Sequence, residues 1–435
     1  MSPPVVMKSF NFKMYQILDH GVEVGEPLAS RARAELVQFI KSGPPTNQRN
    51  VRVQFFRTTP RRTVVVPSVW FRRNVPVDTT FRPPKRISGT FAGTLRENQT
   101  SVVDEAESML STKFSACLVL PTGFGKTVVA IDLICRLGLK TVVLVHKSFL
   151  QSQWRERLCQ YTPGLTVSFV GGGVVNWSGD VVIGLLQTVV KTGVPADVGV
   201  VIVDEAHHIA ATVFSGVLLR CAPRYVIGLS ATPNRKDGLD VRPLVGDFVE
   251  RTDDRSFDVN VEVHRYSSKT PAPGADAHHS LLVNWIVDNA ERLRFVVDLA
   301  KRAATRHATL VLSHRRAHVT ALTRALVGAG VDAAALTPAS GPVTTRVVVS
   351  TYQLVAEGFD DDRLSCVVLA TPSPDVVQAV GRILRKGGEK LVVDVLDVGS
   401  GICFNQLAKR KRFYASRGWQ VLTRSTARPA FVPDA

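Results

Sequence analysis

The sequence has little of what marks disulfide scaffolds, zinc modules or membrane proteins. Its 435 residues contain six scattered cysteines and no Cys-x-x-Cys pair, which favours reduced, buried thiols and argues against a zinc site. No apolar run approaches the roughly 18 residues that a membrane helix needs. No repeat of fixed period is visible, which excludes solenoids and propellers. Because the N-terminal residues lack a long apolar core, we expect an intracellular protein.

Acidic residues are scarce at both ends of the chain. Residues 1–93 carry 15 Lys and Arg against 5 Asp and Glu, and residues 401–435 carry 7 against 1. The residues between them are nearly neutral, with 32 against 31. Clustered cations attract phosphate backbones, so this pattern predicts a neutral enzyme body with polyanion-binding flanks. Solubility alone is the alternative explanation.

Short apolar runs alternate with helical patterns through the centre of the chain. Continuous β-rich runs are typical of strands buried on both faces of a parallel sheet. They form two sets, separated by the Pro- and Ser-containing segment Tyr266–His279. The expected fold class is therefore α/β, with two tandem, doubly wound domains. The predicted strands are 116–120, 141–145, 181–185, 198–203, 225–229, 309–312, 346–350, 365–369 and 391–395.

The first 90 residues have a different pattern, which predicts a small β-containing accessory domain. Aromatic and basic side chains interleave at Phe55–Arg57 and again at Trp70–Arg73. Such a surface could stack bases and bind phosphates. The alternative is an edge strand with buried rings and solvated arginines.

A glycine-bearing turn follows the predicted strand at 116–120. Gly123 and Gly125 permit a tight loop whose N–H groups, together with the following helix N-terminus, hold phosphates. Lys126 would reach the β- and γ-phosphates of ATP, and Thr127 would bind Mg²⁺. The remaining residues of the loop, which would also contact the nucleotide, are Pro121, Thr122 and Phe124.

Two carboxylates follow the predicted strand at 198–203. In open α/β sheets ligands bind at the carboxyl ends of the strands, where Asp204 and Glu205 stand. Asp204 would hold Mg²⁺, and Glu205 would orient and deprotonate the attacking water. A solvated strand end or a helix cap is the alternative for such a pair taken alone.

Together these motifs resemble the superfamily 2 helicases in order and spacing. The segments are PTGFGKT (121–127), DEAH (204–207), GLSATPNRKDG (228–238), EGFD (357–360) and QAVGRILR (378–385). The phrase LSATPNRKDG and the QxxGRxxR form of the last segment look most like the XPB-type branch, which includes helicases of large DNA viruses. The resemblance covers about residues 93–400. It implies two RecA-like domains with ATP between them and nucleic acid crossing both.

The resemblance also implies roles for individual residues. Gln99 resembles an adenine-reading glutamine, and three further residues resemble nucleotide-binding positions of the second domain: Gly358, Asp360 and Gln378. Residues that couple hydrolysis to movement would be His207, Ser230 and Thr232. Contacts to nucleic acid would come from His146, Lys147, Gln187, Thr188, Thr351 and Gln353, although ordinary loop chemistry remains the alternative for such residues.

The spacing of Gln378, Arg382 and Arg385 predicts that they share one helix face. Two arginines presented together can stabilise charge on a γ-phosphate, as an arginine finger does. A solvated basic face is the alternative. Further on, the run Lys409–Arg412 fits a nuclear localisation signal, a nucleic-acid contact or a solvated helix end.

The sequence thus predicts an ATP-dependent motor, a DNA helicase or duplex translocase that uses Mg-ATP. An RNA helicase acting in transcript release and a non-catalytic nucleic-acid-binding scaffold are the alternatives. We expect it in the nucleus if the host is eukaryotic, and otherwise in the cytoplasm or virion. The expected domains are an accessory domain at 1–92, ATP-binding domain 1 at 93–262, a linker at 263–280, domain 2 at 281–412 and a basic tail at 413–435.

Overall fold

The protein is described from a computed structural model, which divides into two compact units, Met1–Asp253 and Asp254–Ala435. The structure describes residues 15–18, 21–42, 49–75, 83–121, 123–206, 212–231, 238–252, 257–273, 279–337, 340, 343–356, 359, 361–384 and 387–425. In the part of the chain so described, no helix is both long and apolar enough to cross a membrane.

The first unit begins with short antiparallel strands and two helices. In chain order these elements are β1 (Tyr15–Leu18), β2 (Gly21–Val24), α1 (Leu28–Glu35), β3 (Val37–Ser42), β4 (Arg49–Gln54), β5 (Arg57–Thr58), β6 (Val64–Val66) and α2 (Ser68–Asn74). Four of the strands form a sheet in the order β1-β2-β6-β5, while β3 and β4 pair only with each other. The predicted β-containing character of this region is therefore confirmed.

The aromatic residues of the two interleaved segments, at Phe55–Arg57 and Trp70–Arg73, are core residues. Phe55, Phe56, Trp70 and Phe71 are all buried, and the last two lie in α2. They belong to the same apolar cluster as residues of the following parallel sheet, such as Val142. The proposed base-stacking role is therefore wrong for these four rings, and the alternative of buried rings is correct.

An eight-stranded sheet flanked by helices forms the rest of the first unit. Its strand order is β10-β9-β11-β8-β12-β13-β7-β14, and every neighbouring pair is parallel except β10 with β9. In chain order the elements are α3 (Glu97–Lys113), β7 (Ser115–Val119), α4 (Lys126–Leu137), β8 (Thr141–Val145), α5 (Ser148–Tyr161), β9 (Val167–Gly171), β10 (Val174–Val175), β11 (Val181–Leu185), α6 (Leu186–Thr192), β12 (Val200–Val203), α7 (Thr212–Leu218), β13 (Tyr225–Ser230), α8 (Arg242–Val245) and β14 (Phe248–Glu250).

The second unit contains a seven-stranded, all-parallel sheet in the order β17-β18-β16-β19-β20-β15-β21. In chain order its elements are β15 (Val259–Tyr266), α9 (His279–Val287), α10 (Ala290–Ala304), β16 (Ala308–Ser313), α11 (Arg316–Gly328), β17 (Ala333–Ala335), β18 (Val347–Thr351), α12 (Tyr352–Ala356), β19 (Leu364–Leu369), α13 (Val377–Gly381), β20 (Lys390–Asp397), α14 (Gly401–Ser416) and β21 (Gln420–Ser425).

Both large sheets bury side chains on both faces. In β16, Leu310 and Leu312 pack into one apolar cluster of the second unit and Val311 packs into the other. In β8, Val142 and Val143 divide in the same way between the two clusters of the first unit. Because successive side chains of a strand point to opposite faces, continuous apolar runs are what such sheets require. The predicted α/β fold is therefore confirmed.

Two predicted boundaries differ from the observed elements. Strand β15 occupies residues 263–266, which we expected to begin the linker, and it pairs with β20 and β21. Helix α14 and strand β21 occupy most of 413–425, which we expected to belong to a basic tail. In both places polar side chains interrupt the apolar ones, so the segment lacks the continuous apolar run that marks the other buried strands.

Candidate nucleotide and nucleic-acid sites

The loop between β7 and α4 has the backbone that a phosphate loop needs. Gly123 and Gly125 have φ angles of 79° and 93°, in the left-handed region that side chains disfavour. Gly125 is the N-cap of α4, so the helix begins at Lys126 with its N–H groups directed at the loop. Thr127 lies in the first turn of that helix, and Thr122 lies outside the described residues. This backbone can bind an anion.

Gln99, expected to read adenine, packs against the phosphate loop. Its Oε1 accepts a hydrogen bond from the Arg96 N–H at 2.9 Å, and its Nε2 donates to the Phe124 carbonyl at 2.8 Å. The Arg96 guanidinium donates to the same carbonyl. A Cβ at Gly125 would stand 2.5 Å from Gln99 Nε2, so a side chain there would displace the Gln99 amide as well as being disfavoured by the φ of 93°. Gln99 thus fixes the shape of the loop, and adenine recognition stays a prediction.

Ser230, predicted to couple hydrolysis to movement, lies directly beside this loop. It ends β13, and its carbonyl accepts a hydrogen bond from the Leu120 N–H at 2.9 Å. The Leu120 carbonyl in turn accepts one from Lys126 Nζ at 3.3 Å. A two-bond chain therefore joins the end of β13 to the lysine of the loop. Thr232 lies outside the described residues.

Asp204 follows β12 and is oriented by two donors. Trp154 Nε1 donates to its Oδ2 at 2.8 Å, and the Glu205 backbone N–H donates to its Oδ1 at 3.0 Å. Burial, and then the negative charge of Glu205, raise the pKa of Asp204 to about 6, while Lys126 acts in the opposite direction. Glu205 has a φ of 50°, an unusual value for a residue with a side chain. His207 lies outside the described residues.

The sheet order brings these groups to one edge. Strands β12, β13 and β7 are consecutive neighbours and parallel, so Asp204, Ser230 and the phosphate loop all follow carboxyl ends of adjacent strands. Trp154 was missed by sequence reasoning because it lies on α5, 50 residues before its partner. Among the described residues, no group of three or more His, Cys, Asp and Glu side chains could hold a metal ion by itself.

The predicted nucleic-acid contacts of the first unit lie on neighbouring strand ends. His146 and Lys147 follow β8, and Lys147 is the N-cap of α5. Gln187 is exposed and lies with the half-buried Thr188 in the first turn of α6, directly after β11. Since β8 and β11 are paired, the four residues share the edge described above. Their binding role stays a prediction.

In the second unit Thr351 ends β18, and its Oγ1 accepts a hydrogen bond from the Leu354 N–H at 3.2 Å. Gln353 is exposed in α12. Three other predicted residues, namely Gly358, Asp360 and Arg385, lie outside the described residues.

The predicted helix through motif six is shorter than its spacing suggested. Helix α13 contains Gln378 but ends at Gly381, so Arg382 is its C-cap, and the Arg382 N–H bonds the Ala379 carbonyl three residues back at 3.3 Å. The prediction of one continuous helix face through Arg385 is therefore wrong for the described part. Glycine at 381 disfavours continued α-helix, which explains the early end.

Two buried ion pairs, missed by sequence reasoning, lie near the carboxyl end of β20. Arg410 Nε and Nη2 donate to the two oxygens of Asp394 at 2.7 and 2.8 Å, and Tyr414 donates to the same carboxylate at 3.0 Å. Arg292 Nε and Nη2 donate to Asp397 at 2.6 and 2.9 Å. All four charged side chains are at most 1% exposed. Two aspartates within the apolar run of β20 were the available signal, because a buried carboxylate needs a partner.

The same arginines hold the loop that leads from β19 to α13. Arg292 Nη1 donates to the Ala370 carbonyl at 2.6 Å, and Arg410 Nη1 donates to the Ser373 carbonyl at 2.7 Å. Thr371, between them, accepts a bond from the His314 N–H at 3.0 Å, and its carbonyl accepts one from Tyr352 at 2.7 Å. This clamped loop directly precedes Gln378 and Arg382.

The basic run Lys409–Arg412 is therefore only partly a surface feature. It lies within α14, and Arg410 is buried against Asp394, while Lys409, Lys411 and Arg412 are exposed.

Comparison with known proteins agrees with the class that fold and site define, a phosphate-loop enzyme of two parallel α/β sheets. A sequence profile of the family described as "Type III restriction enzyme, res subunit" matches residues 92–235. "Putative helicase 055L" of Frog virus 3 is 30% identical over 353 residues, covering 74% of this chain and 78% of that protein. "Putative ATP-dependent RNA helicase L396" of Acanthamoeba polyphaga mimivirus is 26% identical, covering 76% and 70%.

Among solved structures, S. cerevisiae Dbp5 bound to RNA and ADP BeF3 has the same fold, with a TM-score of 0.54 at 13% identity. The match covers 75% of this chain and 90% of that one. The chain belongs to the superfamily 2 helicases. It is an ATP-hydrolysing helicase, which removes the alternative of a non-catalytic scaffold.

Proposed function

We propose that the protein is a DNA helicase or duplex translocase of the XPB-type branch, serving a large DNA virus or a similar replicon. It would couple hydrolysis of Mg-ATP to movement along one strand. The observation that carries the proposal is the edge where Asp204, oriented by Trp154, stands with Lys126 and the Ser230-linked phosphate loop. Phosphoryl transfer requires an oriented carboxylate, a lysine and a glycine-containing loop, and all three are present at this edge.

The residues at this edge would have separate roles. Lys126 and the loop bind the phosphates, and Thr127 and Asp204 would hold Mg²⁺. The fit of Asp204 to a cation is supported by its raised pKa, because a divalent ion would stabilise the carboxylate that burial disfavours. When bound, Mg²⁺ neutralises phosphate charge. Glu205 would take the proton from the attacking water, while Arg382 and Arg385 would stabilise charge on the γ-phosphate.

The remaining assignments follow the resemblance of the motifs. Coupling is assigned to His207, Ser230 and Thr232, and further nucleotide contacts to Gln99, Gly358, Asp360 and Gln378. Strand-backbone contacts are assigned to His146, Lys147, Gln187, Thr188, Thr351 and Gln353. Exposed cations of the Lys409–Arg412 run would serve import if the host cell has a nucleus.

An RNA helicase that releases transcripts is the second candidate. It is favoured by the mimivirus relative, which is named as an ATP-dependent RNA helicase, and by the RNA bound to Dbp5. The basic flanks of this chain suit either polymer, since phosphate attraction carries no information about the sugar.

Steady-state ATP hydrolysis tests both candidates. We expect single-stranded DNA or duplex DNA to stimulate turnover more than RNA, with an unchanged fold and at least about a 100-fold loss of stimulated kcat in Lys126→Ala and Glu205→Gln. Exposed residues of the same unit supply the matched controls Lys191→Ala and Glu156→Gln, which should hydrolyse ATP as the unaltered protein does. Normal turnover in Glu205→Gln would contradict the assigned base, and stronger stimulation by RNA would establish the second candidate.

A further inference from the structure

The hairpin formed by β3 and β4 stands apart from the sheets of the first unit. Its two strands pair antiparallel over six residues each and with no other strand in the described part of the chain. Its base is fixed: the Phe55 N–H donates to the Leu36 carbonyl at 2.9 Å, and Val53 is buried in the core. The arm is thus anchored through one face, while the side chains of Phe39 and Arg52 on its other face meet solvent.

One face of this arm carries an aromatic ring among basic and amide side chains. Phe39 is 69% exposed, the largest value among the exposed large apolar side chains of the described residues. It lies directly opposite the exposed Arg52, and cross-strand partners stand about 5 Å apart on the same face. Asn50 and Gln54, both exposed, occupy the adjacent positions of that face. Lys41 is placed opposite Asn50 in the register.

The stretch of chain that carries the arm has charge of one sign only. Between Val37 and Val77 there are eight Lys and Arg residues and no Asp or Glu. An exposed ring beside cations and amides is an arrangement that stacks a base and binds the adjoining phosphates. An acidic residue would be expected on this surface if its ligand were a basic protein segment.

The arm is also tied to the segment that follows the Ser230 motif. Gln38 Oε1 accepts a hydrogen bond from the Asp240 N–H at 2.8 Å, and Gln38 Nε2 donates to the Asp240 carbonyl at 3.1 Å. These two bonds join the strand that carries Phe39 to the chain eight residues after Thr232. The arm is therefore joined by hydrogen bonds to the segment that follows the residues assigned to coupling.

We propose that this arm is a second nucleic-acid-binding site, at which Phe39 stacks an unpaired base of a single strand and Arg52 binds its phosphate. The inference rests on the proposed function, because a motor must have a nucleic-acid substrate for the arm to hold. The Phe39 ring differs from the rings of Phe55 and Trp70, which are buried in the core. Stacking makes the site tolerant of sequence, since every base presents a π face.

The test compares a labelled dT20 strand with a strand of 20 abasic sugars of equal charge, both titrated into the full chain. Phe39→Ala should weaken dT20 binding about 5- to 100-fold, the usual effect of removing one stacking ring, and leave abasic binding unchanged. Phe39→Trp should bind dT20 as well as the unaltered protein. Arg52→Gln should weaken the binding of both the dT20 strand and the abasic strand. Val51→Ala, an exposed position on the opposite face of β4, is the matched control.

The outcomes separate this inference from the proposed function. Phe39 lies outside the nucleotide site, so basal ATP hydrolysis and the melting temperature of Phe39→Ala should be unchanged. Unaltered dT20 binding by Phe39→Ala, an equal loss on the abasic strand, or an equal loss in Val51→Ala would each overturn the stacking site alone. An unaltered protein whose hydrolysis responds to no polymer would contradict the proposed function and the arm's ligand together.

Discussion

The carboxyl-end edges of the two large sheets use charge in different ways. In the first unit, Asp204 is oriented by an indole N–H and a backbone N–H, and Lys126 by a carbonyl. In the second unit, Asp394 and Asp397 each meet an arginine in a two-point ion pair. The comparison shows that an acidic residue near the end of a buried strand does not by itself mark a ligand site. What matters is whether protein or ligand supplies the opposite charge.

The largest effect should come from breaking one ion pair of the second unit. Arg410→Met leaves Asp394 buried without its guanidinium, so the free energy of unfolding should fall by about 3–5 kcal/mol. Removing the second charge as well, in Arg410→Met with Asp394→Leu, should restore at least half of that loss. Urea denaturation followed by circular dichroism measures both.

Lys409→Met is the matched control for Arg410→Met, because Lys409 is its exposed neighbour in α14. Its stability should stay within about 0.5 kcal/mol of the unaltered protein. A double variant as unstable as Arg410→Met would show that the arginine stabilises the fold through the Ser373 carbonyl and not through charge pairing.

The second largest effect should be a pH dependence of stability that arises in the second unit. His318 is buried, with Nδ1 2.9 Å from Ser313 Oγ, and burial followed by the charge of Arg292 lowers its pKa to about 4. In the unfolded chain histidine titrates near 6.5, so the unfolded state takes up the proton first as the pH falls. The free energy of unfolding therefore has its full value above about pH 6.5 and falls towards pH 4, by up to about 3 kcal/mol.

His318→Gln should flatten this slope, as thermal unfolding at pH 7.5 and pH 5 would show. His264 also has a pKa lowered by burial, but it keeps Glu262 as a partner at 3.0 Å. His264→Gln should therefore leave most of the slope in place. If the two variants lose equal amounts of pH dependence, the burial of His318 is not its main source.

The smallest effect should appear at the edge of the first unit. Trp154→Phe removes the N–H that orients Asp204 but keeps most of the packing in the core. Loss of a group that orients a metal ligand typically weakens metal affinity about 10-fold, so the Mg²⁺ concentration for half-maximal hydrolysis should rise by that factor. Trp177→Phe, in the same unit, should leave the Mg²⁺ dependence unchanged. An unchanged Mg²⁺ dependence in Trp154→Phe would show that the indole N–H does not affect metal binding by Asp204.

Local signals in the sequence were sufficient for the sheets and the phosphate loop. Strands such as β8 and β12 are continuous Val, Ile and Leu runs, and Gly123 and Gly125 occupy the left-handed turn that their type predicts. The partners of charged groups were not accessible in this way. Arg292 lies 105 residues before Asp397, and Trp154 lies 50 before Asp204, so only the fold brings them together.

Which side chains are exposed could not be predicted from the sequence either. Phe39 is exposed while Phe55 is buried, although both belong to strand-like stretches with basic neighbours. Burial depends on which face of a hairpin meets the core, and one shift of register exchanges the two faces. Likewise, the run Lys409–Arg412 reads as uniformly basic, yet the helix turns Arg410 alone inwards to Asp394.

The position of β15 has a consequence for how the chain is made. This first strand of the second unit lies between its last two, pairing with β20 on one side and β21 on the other. Asn260 is thus held against Gln420, which the ribosome adds 160 residues later. During synthesis β15 must wait with one side open until β20 emerges and with the other open until β21 emerges, a period in which open strand edges invite mispairing.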